Sequence, residues 1–386
     1  MAKTLVNIIS REHPLAAYLF IKEFYEAGDK LLFVAANENF DCITPLVKCL
    51  GFDKESVQRI VLRRHADSFI YEHICRTINS QLDKQTDYCV NLAGGTRYMA
   101  LSVQHVFSNY HATFFYVHTR ENFIVKTIFD NSIYDNDDEI LPIHHKLKLG
   151  EYFELYGLSH DLDTPKPFVS DRQEICTPSL LFEMFVKRMF NSNDYKVMEV
   201  LREKYRNWKY IDINEVETTI NDTMVPIPNL SRFLKYIKFE PAEKGFLQHD
   251  EMEYLTGGWF EEYVYDLILQ EVEPDDIAMG VRIDGCTEIR HNNELDVCFI
   301  KNNQLYVIEC KSGINSESMF NEIVYKVSAL KEVLLGIDCQ SYIFSLKKDP
   351  TGDLKKIAQY MDITFCDYLT LTREDKLKKE LKRMKG

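Results

Sequence analysis

Two strand-like runs near the C-terminus carry the charged side chains whose spacing could do chemistry. They form the stretch NELDVCFIKNNQLYVIECKSG, residues 293–313, with Asp296 in the first run and Glu309 and Lys311 at the end of the second. Burying a charge is costly unless the group is paired or bound to a metal ion. These three residues therefore form a candidate site.

Strand geometry predicts which of these side chains meet. Because alternate residues of a strand share a face, Glu309 and Lys311 lie together while Cys310 faces the core. A hairpin through the segment KNNQ would bring Asp296 beside Glu309. Two adjacent carboxylates repel each other and raise a pKa unless a divalent cation lies between them. We therefore expect Mg²⁺ or Mn²⁺ at Asp296 and Glu309.

These residue types suit the hydrolysis of a phosphodiester. A hard cation held by two carboxylates and water polarises the ester and lowers the pKa of a bound water. Lys311 could orient that water or stabilise the pentavalent transition state. The pattern thus predicts metal-assisted hydrolysis, and the structural alternative is a half-exposed ion pair between Glu309 and Lys311 at a strand end.

A helix predicted over 256–272 adds a further carboxylate. Its apolar residues form one buried stripe, with Glu261 near the edge of the stripe and Glu262 on its far side. Glu261 is therefore the candidate third metal ligand. Lys326, on a second helix predicted over 317–336, could contact phosphate, although a lone helix lysine is usually solvated.

The C-terminal elements that must position these residues have a mixed α/β order. The prediction is a helix over 256–272, two or three strands within 279–311, a helix over 317–336, a strand over 340–346, a helix over 353–361 and a strand over 362–368.

The N-terminal part alternates strand and helix signals. The predicted strands cover 4–10, 30–36, 56–62, 87–94 and 112–118, with a helix between each pair. The order predicts a parallel, doubly wound, Rossmann-like sheet with helices on both faces.

Ligands of doubly wound sheets bind past the carboxyl ends of the strands. After the fourth strand, two glycines permit close backbone approach, a helix start offers N–H groups, and an arginine adds positive charge, which predicts an anion site. Glycines placed for packing alone are the alternative, and the pattern is neither a dinucleotide fingerprint nor a P-loop. The candidate ligand-binding residues at these strand ends are Ser10, Arg11, Asn39, Gly94, Gly95, Thr96 and Arg97.

The charge balance limits the possible partners. The formal net charge of −14 argues against binding of nucleic acid through a global basic field, so any such contact must be local. The lysine-rich tail at 372–386 is one candidate, although such a helix is usually just a solvated face.

The cysteines and apolar runs indicate a cellular compartment. The ten cysteines contain no C-x-x-C pair and lie mostly within apolar runs, as expected of buried thiols in a reducing compartment. The N-terminal residues are too polar for a signal sequence, and no apolar run approaches membrane-spanning length. We expect no membrane contact and a cytoplasmic location.

The C-terminal pattern resembles the PD-(D/E)xK nuclease superfamily. The residues that carry the resemblance are Gly257-x-x-Phe260-Glu261-x-x-Val264, Glu294-x-Asp296 and Glu309-x-Lys311, with Leu295 where the name-giving pattern has proline. The resemblance implies a restriction-endonuclease-like α/β domain in which Glu261, Asp296 and Glu309 hold one or two metal ions.

The N-terminal order strand, N-L-A-G-G-T-R-Y-M-A, helix resembles the CARF domain, the sensor of cyclic oligoadenylates in type III CRISPR defence. The family commonly has lysine where Arg97 stands, which keeps the charge. The whole chain then resembles the CARF nucleases, with a CARF-like sensor at 1–145, a helical connector at 146–245 and a nuclease domain at 246–386. A small winged-helix-like unit within the connector is the alternative.

The resemblance implies a homodimer. It would bind one cyclic oligoadenylate ring on its two-fold axis and then cleave single-stranded DNA or RNA. An isologous interface suits a two-fold symmetric ring of four phosphates, so cyclic tetra-adenylate is the expected activator. Two alternatives stay open: an unregulated repair or restriction nuclease, and a sensor that binds nucleic acid without cutting it.

Overall fold

Residues 2–10, 13–36, 41–53, 57–62, 70–127, 138–162, 168–205, 207–218, 224–284, 293–313, 317–331 and 339–385 are described in a computed structural model. No helix within these ranges is long and apolar enough to cross a membrane.

The N-terminal sheet has the predicted doubly wound arrangement. Its described strands lie in the order β3-β2-β1-β4-β5-β6-β7, parallel from β3 to β5 and antiparallel from there to β7. The strands are β1 (Thr4–Ile9), β2 (Lys30–Ala36), β3 (Val57–Leu62), β4 (Tyr88–Asn91), β5 (Ala112–His118), β6 (Phe123–Thr127) and β7 (Glu139–Pro142).

Helices cover both faces of this sheet, because the strands are apolar on both sides. One face packs against α3 and α4, and the other against α1, α2 and α5. The helices are α1 (Pro14–Phe24), α2 (Ile43–Cys49), α3 (Tyr71–Asn79), α4 (Arg97–Phe107) and α5 (Leu149–Leu155).

The middle of the chain is mainly helical, with one short antiparallel strand pair, β9 and β10. Its elements are β8 (Ser159–Asp161), α6 (Pro178–Val186), α7 (Ser192–Val200), a π-helical turn (Leu201–Tyr205), β9 (Tyr210–Asp212), α8 (Ile213–Thr218), α9 (Leu230–Tyr236), β10 (Phe246–Gln248) and α10 (His249–Glu253). Its apolar side chains share one core cluster with the C-terminal domain. This segment is therefore packed onto that domain and is not a loose linker.

The C-terminal domain is built on a mixed sheet. Its described strands lie in the order β15-β14-β13-β12-β11-β8, so the edge strand β8 comes from the middle segment. The elements are a π-helical turn (Tyr254–Gly258), α11 (Trp259–Glu271), β11 (Asp276–Asp284), β12 (Asn293–Lys301), β13 (Gln304–Lys311), α12 (Glu317–Leu330), β14 (Gln340–Ser345), α13 (Asp353–Tyr360), β15 (Ile363–Cys366), α14 (Tyr368–Thr372) and α15 (Glu374–Lys385).

The two domains meet at the turn between β12 and β13. Asn303, only 2% exposed, accepts a hydrogen bond from Leu147 N (2.7 Å) and donates to Asn122 Oδ1 (2.8 Å) and to the His145 carbonyl (2.9 Å). Apolar side chains of β12 and β13 join the core of the N-terminal helices. The hairpin thus belongs to both domains.

Candidate functional site

A β-hairpin brings Asp296 and Glu309 together. β12 and β13 pair antiparallel, with Val297 opposite Ile308, so Asp296 and Glu309 occupy the next step of the ladder. The connecting Asn302 and Asn303 have φ of 51° and 60°, the left-handed conformation that a tight hairpin turn needs and asparagine tolerates.

The two carboxylates are buried and surround one ammonium group. Asp296 is 9% exposed and Glu309 is 3% exposed. Lys311 Nζ lies 3.2 Å from Asp296 Oδ2 and 2.8 Å from Glu309 Oε1. Asp296 Oδ2 also accepts a hydrogen bond of 2.7 Å from the backbone N–H of Cys310. The carboxylate oxygens of Asp296 and Glu309 are therefore arranged around the positively charged ammonium group of Lys311.

Lys326 supplies a second ammonium group at this site. Its Nζ lies 3.1 Å from Glu309 Oε1. Lys326 is exposed, as expected of a solvated helix lysine, but its ammonium group also pairs with the buried Glu309. The signal was present in the sequence: Lys326 follows Ile323 by three residues and precedes Leu330 by four, which puts it beside the buried face of α12.

Burial and neighbouring charges shift the titration of this cluster. Burial, together with repulsion by Glu309, raises the pKa of Asp296. Burial also acts to raise the pKa of Glu309, but Lys311 and Lys326 outweigh it, so that pKa is lowered. The two carboxylates outweigh the desolvation of Lys311 and raise its pKa. The site thus holds Lys311 as a firmly charged ammonium.

The two lysines neutralise the carboxylates that were expected to need a metal ion. The sequence suggested that a divalent cation was needed to make two adjacent carboxylates tolerable, yet two ammonium groups do this in the structure. Within the described ranges, no three His, Cys, Asp or Glu side chains are grouped closely enough to hold a metal. The carboxylate pair remains a donor set of the kind that Mg²⁺ uses together with water.

Glu261 and Glu262 occupy different environments. Both line the cavity that contains Asp296 and Glu309. Glu262 was expected on the exposed side of the helix, but it is 3% exposed and accepts a hydrogen bond of 2.8 Å from Val169 N. The middle segment covers this face of α11, which helical periodicity cannot reveal. Glu262 therefore holds that segment, and Glu261 stays the candidate for chemistry.

The cavity has a volume of about 800 Å³. Among the described residues that line it, carboxylates outnumber lysine and arginine side chains. Two lining residues that the sequence reasoning missed are Arg282 on β11 and Arg202 on the π-helical turn of the middle segment. No motif marked either arginine, because each reaches the site only through tertiary packing.

The candidate sensor site has a tightly packed glycine turn. Gly94 has φ of 124°, and a Cβ there would lie 2.3 Å from the carbonyl oxygen of Ile8 on β1. Gly95 has φ of 62°, and its Cβ would lie 2.4 Å from Ile8 Cγ2. These glycines are therefore required by close packing on β1, which was the alternative to a ligand role, and both are partly exposed to solvent.

Thr96 and Arg97 lie at the start of α4. Thr96 caps the helix by accepting a hydrogen bond from Met99 N (3.2 Å), and both residues are exposed. The first N–H groups of a helix lack intrahelical partners and attract anions. Ser10 Oγ is buried and has no hydrogen-bond partner within the described part of the chain. Arg11 and Asn39 lie outside the described residues.

Two family models match separate parts of the chain. Residues 4–152 match the model described as the Card1 CARF domain, and residues 248–379 match the model described as the Card1-like endonuclease domain. Both resemblances that the sequence motifs carried are confirmed at this level. Among curated proteins, no match is found.

Solved structures share the whole fold. Protein VC1899 from Vibrio cholerae is 17% identical, with a TM-score of 0.73 over 99% of this chain and 96% of that chain. Can2 from Sulfobacillus thermosulfidooxidans, solved in complex with cyclic tetra-adenylate, is 20% identical, with a TM-score of 0.67 over 100% of this chain and 99% of that chain. The fold of both domains is therefore shared with these two proteins over nearly their full length.

Proposed function

We propose that this chain, which carries a CARF domain followed by an endonuclease domain, is a metal-dependent nuclease that cyclic oligoadenylate activates. The proposed substrate is single-stranded DNA or RNA, and the proposed setting is type III CRISPR defence. Most cysteines lie within apolar runs, as is typical of buried thiols in a reducing compartment, so we place the activity in the cytoplasm.

One observation carries the nuclease proposal: Asp296 and Glu309 converge on Lys311 Nζ inside the endonuclease match. Lys311 would orient the attacking water or stabilise the transition state, because it is held charged between the two carboxylates. Lys326 lies beside Glu309 and can offer its ammonium group to a substrate phosphate.

The composition of the cavity supports a requirement for metal. Its excess of carboxylates would repel a phosphodiester unless cations were added. Asp296 and Glu309 would hold the ion. Glu261 on α11 lines the same cavity but is not grouped with them as a third ligand in this structure, so it would have to move closer to join the ion. When bound, Mg²⁺ or Mn²⁺ supplies Lewis-acid activation of the phosphate and of a water.

The turn at Gly94, Gly95, Thr96 and Arg97 is the proposed sensor site. The start of α4 and the Arg97 guanidinium attract phosphate, and the buried Ser10 hydroxyl offers an unused hydrogen-bonding group. Can2 shares this fold and was solved with cyclic tetra-adenylate. We therefore propose cyclic tetra-adenylate as the activating ring.

A two-fold dimer would complete this sensor site. Helices α3 and α4 are neighbours. α4 exposes Tyr98 and Leu101 in the turns that follow the glycine turn, and Ile70 and Tyr71 are exposed farther along, where Tyr71 contacts His105 of α4. Exposed apolar patches of this kind mark association surfaces. An isologous contact through α4 would bring two copies of Thr96 and Arg97 around one two-fold symmetric ring.

The test is a cleavage assay with labelled single-stranded DNA, single-stranded RNA and duplex DNA, with Mn²⁺ or Mg²⁺, and with each ring size in turn. We expect cleavage only when metal and cyclic tetra-adenylate are both present. Glu309→Gln and Lys311→Met should each lower the rate by about 10²-fold to 10⁴-fold.

Lys301→Met is the matched control, because Lys301 lies on the same hairpin but donates to the exposed Glu273 carbonyl. Its rate should stay close to that of the unmodified chain. Equal cleavage with and without the ring would contradict activation. Binding of oligonucleotides without any cleavage would contradict the nuclease assignment.

A further inference from the structure

Arg202 reaches the candidate active site from outside both family matches. It lies on the π-helical turn Leu201–Tyr205 of the middle segment, between the matched ranges 4–152 and 248–379. It nevertheless lines the same cavity as Asp296 and Glu309.

Its guanidinium group joins two backbone segments. Arg202 Nη2 donates to the backbone carbonyl of Thr256 and to Ser312 Oγ, the latter at 3.0 Å. Ser312 Oγ in turn donates to the same Thr256 carbonyl at 3.2 Å. Arg202, Thr256 and Ser312 therefore form one closed set of hydrogen bonds.

Each joined segment leads directly to a candidate catalytic side chain. Thr256 lies in the π-helical turn Tyr254–Gly258, which continues into α11 and Glu261. Ser312 follows Lys311 at the end of β13. π-helical turns are rare and frequently occur at functional sites, and two of them meet at this guanidinium.

The packing around the guanidinium is close. A Cβ on Gly313 would lie 3.0 Å from Arg202 Nη1, so the arginine lies against the backbone that follows Lys311. A guanidinium group is planar, always charged and able to donate in fixed directions, which suits the joining of two acceptors. A flexible ammonium group would hold them less rigidly.

We infer that Arg202 is a positioning residue of the nuclease reaction, which fixes the segment carrying Glu261 relative to the segment carrying Lys311. The middle segment is thus part of the catalytic unit. The inference rests on the proposed nuclease function. Misplacement of reacting groups by about 1 Å can cost about 10²-fold in rate.

The experiment compares Arg202→Met, Arg202→Lys and Arg172→Met in the full chain, with cyclic tetra-adenylate and Mn²⁺. We expect Arg202→Met to lower kcat by about 10²-fold with KM changed less than about threefold, and Arg202→Lys to recover part of that loss. Arg172 pairs with Asp250 at the surface and also links the middle segment to the C-terminal domain. Arg172→Met should keep full activity.

Amide hydrogen exchange provides a readout independent of cleavage. In Arg202→Met, peptides that contain 254–260 and 309–313 should exchange faster, while peptides of the N-terminal sheet stay unchanged. Ser312→Ala removes only one partner, and its effect on kcat should be non-additive with Arg202→Met because the two residues share one network.

Several outcomes would overturn the positioning role. These are a kcat within threefold of the unmodified chain in Arg202→Met, additive effects of the two substitutions, or unchanged exchange of both peptides. If the unmodified chain cleaves nothing, the proposed function fails. If it cleaves and Arg202→Met cleaves equally well, only this inference fails.

Discussion

Substitution of Asn303 by alanine should loosen the junction between the two domains. The side chain is 2% exposed and makes three hydrogen bonds of 2.7–2.9 Å to Leu147, Asn122 and His145. Each is worth about 1 kcal/mol net. The φ of 60° adds about 1 kcal/mol of strain for alanine in the left-handed region. We therefore expect the free energy of unfolding to fall by about 4 kcal/mol.

Two matched variants separate these contributions. Asn303→Gly loses the same hydrogen bonds without the strain, so it should be about 1 kcal/mol more stable than Asn303→Ala. Asn302→Gly alters the neighbouring turn position, whose side chain makes one exposed bond to the Lys385 carbonyl. That variant should unfold within about 0.5 kcal/mol of the unmodified chain.

Urea unfolding followed by circular dichroism, together with hydrogen exchange at the Leu147 amide, measures the effect. The same hairpin carries Asp296 and Glu309, so activation should weaken as well. In Asn303→Gly, the cleavage rate with cyclic tetra-adenylate divided by the rate without it should fall by about fivefold or more. Stability of Asn303→Ala within about 1 kcal/mol of the unmodified chain would refute the reasoning.

Two further substitutions test the proposed sensor site and the charges of the candidate active site. Gly94→Ala puts a Cβ 2.3 Å from the Ile8 carbonyl oxygen at φ of 124°, so calorimetry should show at least about tenfold weaker ring binding. Gly51→Ala, with φ of 75° but nothing within 4 Å, controls for backbone strain. Lys326→Met removes one of the two ammonium groups that lower the pKa of Glu309, so that pKa should rise. The acidic limb of the pH–rate profile should then move to higher pH, whereas Lys326→Arg should leave it in place.

The N-terminal sheet could be predicted from sequence because its signals are local. Each parallel strand is a short apolar run bounded by polar residues, and β5 covers the predicted 112–118 without change. Helix ends were less predictable: the sequence pattern predicts a helix over 66–82, whereas α3 is described as Tyr71–Asn79. Residues 63–69 lie outside the described part of the chain.

The hairpin of β12 and β13, which carries Asp296 and Glu309, was also predictable, since alternation and the KNNQ turn act over a few residues. One detail failed. Strand alternation in ELDVCFI predicts that Leu295 and Val297 share a face, yet Leu295 packs in the core between the domains while Val297 packs on the opposite side. The irregularity coincides with Gly280 on the neighbouring strand β11, which has φ of 64°. Gly280 lies between Met279, which pairs with Val297, and Val281, which pairs with Leu295. A glycine in this conformation within a strand marks a local irregularity that binary alternation ignores.

The contribution of the middle segment could not be predicted, because it depends on contacts far apart in sequence. The burial of Glu262 requires Val169, and the position of Arg202 requires Thr256 and Ser312. No period or motif in 146–245 specifies these contacts. Tertiary packing therefore determines which side of α11 is exposed and which positively charged side chains line the cavity.

On the proposed function, the lysine pairing of Asp296 and Glu309 would set how a metal ion and a substrate phosphate compete for the site. Lys311 and Lys326 lie within ion-pair distance of the buried carboxylates and compensate part of their charge. A metal ion bound to the same carboxylate oxygens would weaken their attraction to Lys311 and Lys326, and this loss would lower the affinity for the ion. A substrate phosphate offers the lysines a new partner, which reduces that cost. Metal and substrate should therefore bind more tightly together than either does alone.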